Sequence, residues 1–269
     1  MQKLELQKYL FWAPDNYINI YKGYGVEVYN LLSWISVAAG ILYLFLWLKK
    51  KDIPLKKILI SLLIVTVAGV VFTRLFHIVF WDFNEYLLHP SRFFQIRAGR
   101  SVHGTLFGFM IGALILWKYL KIPFSEIADR LSLWLIFGLM LARIGNFYNS
   151  EMIGSPSALP WAVRFYFSAD RGGTPRHPVQ LYESFFAFVI LVSVIGVLIK
   201  TKNRKPLLIT GIVLTGFFIS RFIFDFIKHA PGHLAGDFLT TGQMLSIPFF
   251  IIGLYILLMI FVNRQRSRV

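Results

Sequence analysis

The sequence contains no cysteine among its 269 residues. Neither a disulfide bond nor a thiol nucleophile belonging to the chain itself is therefore available. Charged side chains are also scarce, at 15% of the chain, against about 25% in a typical soluble domain. Acidic residues are the scarcer kind, with 13 Asp and Glu against 28 Lys and Arg. This composition argues against a soluble globular domain.

Hydrophobic residues are correspondingly abundant. They make up 57% of the chain, 17% of it is aromatic, and the mean hydropathy is +0.63. Apolar runs near the ~20 residues needed to cross hydrocarbon recur along the whole sequence. We predict an all-α, polytopic integral membrane protein with seven transmembrane helices. The spans are predicted at about 26–48, 57–79, 101–118, 131–147, 179–199, 206–227 and 240–262.

The N-terminal part of the chain differs from these spans. It lacks the continuous apolar core and the small-residue cleavage site of a signal peptide. We predict residues 1–25 to be an amphipathic segment that lies on the membrane surface. Residues 26–269 then form the transmembrane domain, with an extracytoplasmic insertion at about 148–178.

The basic residues predict the orientation of the spans. More than half of the 28 Lys and Arg residues lie in four short segments, "KKKDIPLKK", "KYLKIPFSEIADR", "KTKNRK" and "NRQRSRV". Short basic segments stay in the cytoplasm, so the N-terminus is predicted outside and the C-terminus inside. A net charge of +15 also suits a nucleic-acid partner, but this distribution makes it a topology signal instead. We predict no nucleic-acid partner.

Three arginines lie inside predicted spans, at Arg74, Arg143 and Arg221. An arginine in hydrocarbon costs at least about 2.5–3.5 kcal/mol on insertion scales, so each needs a reason. All three lie toward the outer ends of their spans. The polar residues that share this end are His103, Gln180 and Glu183. A transporter would instead show polarity through the full membrane depth, often with inverted repeats, and no repeat is visible.

Two simpler explanations for these arginines stay open. Each could place its charged end at the interface while its stem crosses apolar surface. Arg221 could also be neutralised by Asp225, one turn further along the helix. Glu183 could hold one of the arginines in place.

The stretch "ARIGNFYNSEMIG" concentrates polar groups at the end of the fourth span. Arg143 and Asn146 are three residues apart and share a helix face. Asn149, Glu151 and Gly154 follow in the loop, where Asn and Gly are also ordinary turn residues. Since an arginine fork matches phosphate oxygens bidentately, arginines from two helices predict a clamp for a phospholipid phosphodiester.

The stretch "GRSVHG" opens the third span. Ser101 is a plausible N-cap, which places His103 in the first helical turn. The helix dipole and Arg100 both disfavour a protonated imidazole there, so His103 is predicted to be neutral and able to accept a proton. A structural role is the alternative for a lone histidine. We predict no metal site, because no ligand-like spacing is found among His77, His89, His229 and His233.

Several ordered motifs carry a resemblance to a known family. "RIGNFYNSEMIG" resembles the signature of the prolipoprotein diacylglyceryl transferases, roughly Gly-Arg-x-x-Asn-Phe-x-Asn-Gly-Glu-x-x-Gly. Other matching pieces follow in the family's order: "TRLFHIVFWDFNEYLLHP", "SVHG", "PRHPVQLYE", "RFIFDFIKHAPG" and "TTGQMLSIP". The resemblance runs from about residue 20 to the last span, and several motifs in order are more specific than one pattern.

The resemblance implies seven transmembrane helices with the N-terminus outside, in the bacterial cytoplasmic (inner) membrane. It implies transfer of the diacylglyceryl group of phosphatidylglycerol to the lipobox cysteine of a lipoprotein precursor, without a cofactor, at the extracytoplasmic side among membrane lipids. By similarity His103 assists thiol deprotonation, and Arg143 and Arg221 hold the lipid phosphate. The residues implied to shape the substrate site are Tyr24, Asn146, Asn149, Glu151 and Gly154.

This sequence also departs from the family pattern. Phe217 stands where the family usually has a functional tyrosine, and Arg100 replaces a small or apolar residue near His103. Two other interpretations therefore stay open. The chain could be a paralogous transferase with another acceptor, or a membrane protein that binds or transports a phospholipid without chemistry.

Overall fold

The computed structural model describes residues 8–15, 17–21, 24–81, 83–89, 91, 99, 101–201, 205–229, 233–235 and 238–266. The helices in this part of the chain are α1 Val28–Lys49, α2 Leu55–Phe80, α3 Phe83–Leu88, α4 Val102–Leu120, α5 Phe124–Tyr148, α6 Val179–Lys200, α7 Leu208–Asp225 and α8 Thr241–Arg266. The strands are β1 Leu10–Trp12, β2 Tyr17–Tyr21, β3 Tyr24–Glu27, β4 Val163–Phe165, β5 His233–Ala235 and β6 Leu239–Thr240.

The architecture is a helical bundle of membrane type. Within the described residues, 6 helices are long and apolar enough to cross a membrane, namely α1, α2, α4, α6, α7 and α8. Each of the seven predicted spans overlaps a helix. The fourth predicted span overlaps α5, which is not among the 6 helices that are long and apolar enough to cross a membrane. The short α3 and the strands, which pair two by two, were not predicted, because none has the length or periodicity of a membrane segment.

Helix α5 lies at the centre of the bundle, packed against α1, α4, α6 and α7. It begins earlier than the predicted span because its polar first turns find partners. Glu126 forms an ion pair with Lys51, with 2.8 Å between Oε2 and Nζ. Arg130 donates to the Tyr43 hydroxyl at 2.8 Å. These contacts stabilise polar residues in the first turns of α5. The same helix carries Arg143 near its other end.

Helices α2 and α4 approach each other closely at glycines. A Cβ at Gly104 would collide with the Phe72 carbonyl oxygen, and a Cβ at Gly108 would collide with that of Ala68. The predicted cap is present, since the Ser101 hydroxyl accepts from the Gly104 amide at 3.4 Å. The close packing and the cap together fix the first turn of α4, which carries His103.

The insertion between α5 and α6 folds as a cap on one end of the bundle. Its strand β4 pairs in parallel with β1 from the N-terminal segment, so that Phe11 lies opposite Arg164. Phe147, at the end of α5, packs with Val163 and Phe165 of the cap. The N-terminal segment is therefore tied to the insertion by a sheet, and its predicted position on the membrane surface stays a prediction.

One carboxylate fastens the turn that follows β4. Slight burial raises the pKa of Asp170, but hydrogen bonds from Ser168, Thr174 and Arg176 outweigh this and lower it to about 2. A carboxyl with a lowered folded-state pKa stabilises the fold above its unfolded pKa of about 3.9. That contribution is lost as the pH falls toward 2 and is fully present at neutral pH.

Candidate phospholipid and catalytic site

A cavity of about 660 Å³ lies between the helices near the capped end and is open on one side. Its deeper wall is largely apolar, with Val37, Val70, Phe109 and Leu135 from the middle of four helices. The predicted site residues that line it are His103, Arg143, Asn146, Asn149, Glu151 and Arg221. A smaller cavity of about 360 Å³ lies toward the opposite end and has none of them in its lining. The larger cavity therefore joins an apolar interior to a polar end.

Arg143 is buried at this polar end and is held by several groups. Its Nε lies 2.8 Å from Glu183 Oε2 of α6. The sequence suggested that Glu183 could hold one of the arginines, and in the structure that arginine is Arg143. Its Nη1 donates to Asn146 Oδ1 at 3.1 Å and contacts Met152 Sδ at 2.9 Å. The exposed fraction of Arg143 is 4%. This guanidinium is fixed in position before any ligand binds.

The Glu183 carboxylate continues the ion-pair network to the end of α7 and to β6. Its Oε1 accepts from Lys228 Nζ at 2.9 Å, and Lys228 also pairs with Asp225 Oδ1 at 2.5 Å. Asp225 Oδ2 accepts from the Thr240 hydroxyl at 2.8 Å. Burial lowers the pKa of Lys228, while Glu183 and Asp225 oppose that shift by favouring the ammonium form. Lys228 was not predicted as a site residue from the sequence. The i,i+3 spacing from Asp225 was the sequence feature that could have indicated this ion pair.

Arg221 differs from Arg143 in having free hydrogen-bond donors. Asp225, its suggested partner, forms its ion pair with Lys228 and acts on Arg221 only through its nearby charge. The Nε and Nη1 atoms of Arg221 are buried and have no hydrogen-bond partner in the described part of the chain. The residue is 8% exposed and lines the cavity. A buried cation with unused donors requires an anion for full compensation.

His103 is fully buried in an aromatic setting. Its ring centroid lies 6.3 Å from that of Trp81, 5.5 Å from that of Phe218 and 6.0 Å from that of Phe249. Its Nε2 lies 3.4 Å from Ser246 Oγ. These contacts fix the plane of the imidazole at the cavity wall.

The Ser246 contact also assigns the tautomer of His103. A serine hydroxyl carries one hydrogen, and Ser246 donates it to the Gly242 carbonyl at 2.6 Å. The hydrogen bond to His103 therefore has Nε2 as its donor. In the neutral ring Nδ1 is then unprotonated, and this atom is buried without a partner among the described residues. His103 thus carries a lone pair free to accept a proton.

The remaining amides and carboxylates form a hydrogen-bonded wall. Asn146 Nδ2 donates to Glu151 Oε2 at 2.8 Å. Asn149 Nδ2 donates to Glu151 Oε1 at 3.2 Å and to Glu27 Oε1 at 3.0 Å. Asn30 completes the wall by donating to Glu27 Oε2 at 2.7 Å. Glu27 and Asn30 were missed in the sequence because they belong to none of the recognised motifs.

Gly154 and Tyr24 have a different standing from these cavity residues. The Gly154 amide donates to the His177 carbonyl at 2.9 Å, and a Cβ at Gly154 would approach His177 too closely. Gly154 therefore shapes the loop beside the cavity. Tyr24 begins β3, and its side chain lies outside the described residues, as does all of Arg100. Arg74 donates from Nη1 to the Gly99 carbonyl at 3.2 Å and is not part of the cavity lining.

Phe217, the departure from the family tyrosine, is directed into the bundle. It is 3% exposed, belongs to the main apolar core and stacks edge-on against Phe218 at 5.2 Å. The described cavity lining does not include it. An aromatic ring without a hydroxyl suits this environment, because a buried hydroxyl needs a hydrogen-bond partner.

The fold and the cavity together define a polytopic helical membrane protein with a buried cationic site that opens to an apolar interior. Residues 16–259 match the family model described as prolipoprotein diacylglyceryl transferase. The chain belongs to the prolipoprotein diacylglyceryl transferase family.

Curated relatives agree with this assignment. The chain is 33% identical over 203 residues, covering 74% of it and 76% of the relative, to the phosphatidylglycerol–prolipoprotein diacylglyceryl transferase of Methylococcus capsulatus. It is 35% identical to the enzyme of that name from Pasteurella multocida, covering 72% of each chain. The same name and identity apply to a Pseudomonas putida relative, with 67% of this chain and 69% of the relative covered.

Proposed function

We propose that this chain is a phosphatidylglycerol–prolipoprotein diacylglyceryl transferase. It moves the diacylglyceryl group of phosphatidylglycerol to the lipobox cysteine thiol of lipoprotein precursors. Family membership and the names of the relatives support the activity. The observation that carries the site is the buried Arg221 guanidinium with unused donors in the lining of a cavity whose deeper wall is apolar. A phosphodiester whose acyl chains occupy the apolar part satisfies both features.

The residues divide the chemical step between them. The acceptor thiol, with a pKa of about 8.5, is mostly protonated at neutral pH and is then a poor nucleophile. His103 Nδ1 accepts the thiol proton as the sulfur attacks the glyceryl carbon bonded to the phosphate ester oxygen. A thioether bond forms, the carbon–oxygen bond breaks, and glycerol phosphate leaves with the bonding electron pair. Arg143 and Arg221 stabilise the charge that develops on this phosphate.

The other site residues position the lipid. Asn146, Asn149 and Glu151 bind near the phosphate through the hydrogen-bonded wall that begins at Arg143. Gly154 shapes the loop behind them, and Tyr24 is proposed as a substrate contact from the family resemblance alone. The reaction requires no cofactor or metal, because the phospholipid is itself the activated donor.

Replacement of Arg221 by methionine tests the site. We expect transfer to fall about 10²–10³-fold, the usual cost of losing one transition-state donor. The melting temperature should be unchanged or higher, because Arg221 Nε and Nη1 lose no partner. Purified protein is incubated with phosphatidylglycerol and a lipobox peptide, and the peptide is weighed by mass spectrometry. Wild-type protein should add one diacylglyceryl group to the peptide.

The matched control is Arg130→Met. Arg130 lines the smaller cavity toward the opposite end of the bundle and bonds to Tyr43, so this variant should keep the wild-type transfer rate. Wild-type turnover by the Arg221 variant would contradict the phosphate clamp. Lipid binding by wild-type protein without any mass gain would instead identify a non-catalytic binder, and a gain on peptides without the lipobox would identify a paralogue.

We further infer seven spans in the bacterial cytoplasmic membrane, with the N-terminus and the site on the extracytoplasmic side. The support is the basic character of the segments at the opposite end. Since the chain has no cysteine, single cysteines report on sidedness without background. A membrane-impermeant maleimide should label Ala158→Cys in intact spheroplasts and Lys50→Cys after lysis only. The reverse pattern would overturn this orientation.

A further inference from the structure

Glu27 and Asn30 belong to the same cavity as the proposed phosphate clamp. Glu27 is the last residue of β3 and the N-cap residue of α1, and Asn30 lies in the first turn of that helix. Both line the cavity beside Asn149 and Glu151. Their side chains are half-buried.

The two residues end a continuous path of hydrogen bonds that starts at the ion pair of Arg143 with Glu183. The path runs along the cavity lining through the residues Asn146, Glu151, Asn149, Glu27 and Asn30. The same wall therefore connects the proposed phosphate position to Glu27. The wall is fixed by its own hydrogen bonds, which lowers the ordering cost of binding.

The carboxylates of this wall differ from those of the ion-pair network. Glu183 and Asp225 each bind Lys228, whereas Glu27 and Glu151 have no cation within 4 Å among the described residues. Each oxygen of a carboxylate can accept about two hydrogen bonds. Glu27 receives one bond on each oxygen, from Asn149 and Asn30. The wall thus keeps acceptor capacity that its own amides do not use.

A second observation shows that the cavity is built for a ligand. Arg221 is 8% exposed, lines the cavity and has two buried nitrogen atoms without partners in the described part of the chain. An anion at Arg221 and hydroxyl donors at Glu27 are complementary to the two ends of one ligand. The spare capacity of this wall lies in acceptor oxygens of Glu27, which a head-group hydroxyl meets as a donor.

We propose that Glu27, supported by Asn30, forms a head-group subsite that binds the hydroxyl groups of a polyol phosphodiester. The subsite rests on the proposed function and adds to it a determinant of lipid choice. Glu27 accepts a hydrogen bond from a head-group hydroxyl while Asn149 and Asn30 hold its carboxylate in place. Lipids whose phosphate carries a head group without hydroxyls lose this bond.

The test compares phosphatidylglycerol with phosphatidylpropanol, which has the same phosphodiester and no head-group hydroxyl. Wild-type protein and Glu27→Leu are measured for kcat/KM by peptide mass gain and, separately, for lipid binding in nanodiscs. We expect wild-type protein to prefer phosphatidylglycerol in both measurements. In Glu27→Leu this preference should shrink by about 10-fold, the usual effect of one hydrogen bond to a charged group.

Glu126→Leu is the matched control, because Glu126 is a carboxylate paired with Lys51 and lines the smaller cavity. It should leave the preference unchanged, and Glu27→Gln should keep part of it. An equal fall with both lipids in Glu27→Leu would overturn the subsite and leave Glu27 a structural role. A wild-type preference for an ethanolamine head group that Glu27→Leu abolishes would also overturn it.

The binding measurement separates this inference from the proposed function. If wild-type protein transfers nothing to the peptide, the transferase proposal fails. The difference in binding between the two lipids, compared in wild type and Glu27→Leu, then still tests whether the head-group subsite exists. If transfer proceeds and the preference is the same in wild type and Glu27→Leu, the subsite alone fails.

Discussion

Replacing Arg143 by methionine is expected to reduce transfer about 10³-fold and to lower the free energy of unfolding by about 3 kcal/mol. Both effects follow from its contacts. The guanidinium is proposed to stabilise the leaving phosphate, and it is also the buried partner of Glu183, with 2.8 Å between Nε and Oε2. Losing one member of a buried pair costs about 3–5 kcal/mol. We expect the lower end, because Lys228 still neutralises Glu183.

The comparison with Arg221→Met makes this result specific. Both variants remove a buried arginine, but only Arg143 loses an ion pair in the described structure. Arg143→Met should therefore melt at a lower temperature in detergent than wild type, and Arg221→Met should not. Equal melting temperatures for all three proteins would show that the Arg143–Glu183 pair contributes no stability. Normal transfer by Arg143→Met would remove Arg143 from the mechanism.

Replacing His103 by glutamine is expected to slow transfer about 10²–10⁴-fold at neutral pH, the usual contribution of a general base. The defect should depend on pH in a direction that the acceptor thiol sets. Below a thiol pKa of about 8.5 a base must remove the proton, and above it the thiolate forms without help. The defect should therefore be largest at neutral pH and should narrow above about pH 9. Peptide mass gain measured from pH 6.5 to 9.5 gives the profile.

Ser246→Ala is a milder change that affects the same imidazole. The change removes the hydroxyl that receives the His103 Nε2 hydrogen, with 3.4 Å between the two atoms, and leaves the imidazole itself in place. We expect a smaller loss than in His103→Gln, because the tautomer with a free Nδ1 becomes less favoured. A loss in His103→Gln that is constant across the pH range would show that His103 positions substrate and is not the base.

The helices could be predicted from the sequence with little error. Each predicted span overlaps a helix, and the largest difference is at α5, which begins at Phe124. The discrepancy has a tertiary cause, since Glu126 and Arg130 continue the helix through partners on other segments. Such partners cannot be read from the stretch itself.

Side-chain pairing was less accessible from the sequence. Sequence spacing suggested Asp225 as a partner for Arg221. The two opposite charges do interact, but the ion pair of Asp225 in the described structure is with Lys228. The spacing was compatible with both, because residues three and four apart share one helix face. Glu27 lies 122 positions from Asn149 in the chain, and nothing in either stretch indicates that contact.

The sequence by itself determined that the chain forms long apolar helices and that a few arginines, amides and one histidine gather at one end of them. The reason is that a segment in hydrocarbon must satisfy its own backbone hydrogen bonds, and a charge placed there is too costly without a use. The tertiary structure alone decided that Arg143 is bound to Glu183 and that Arg221 keeps unused donors. Those outcomes depend on distances between helices that are far apart in the chain, and packing sets these distances.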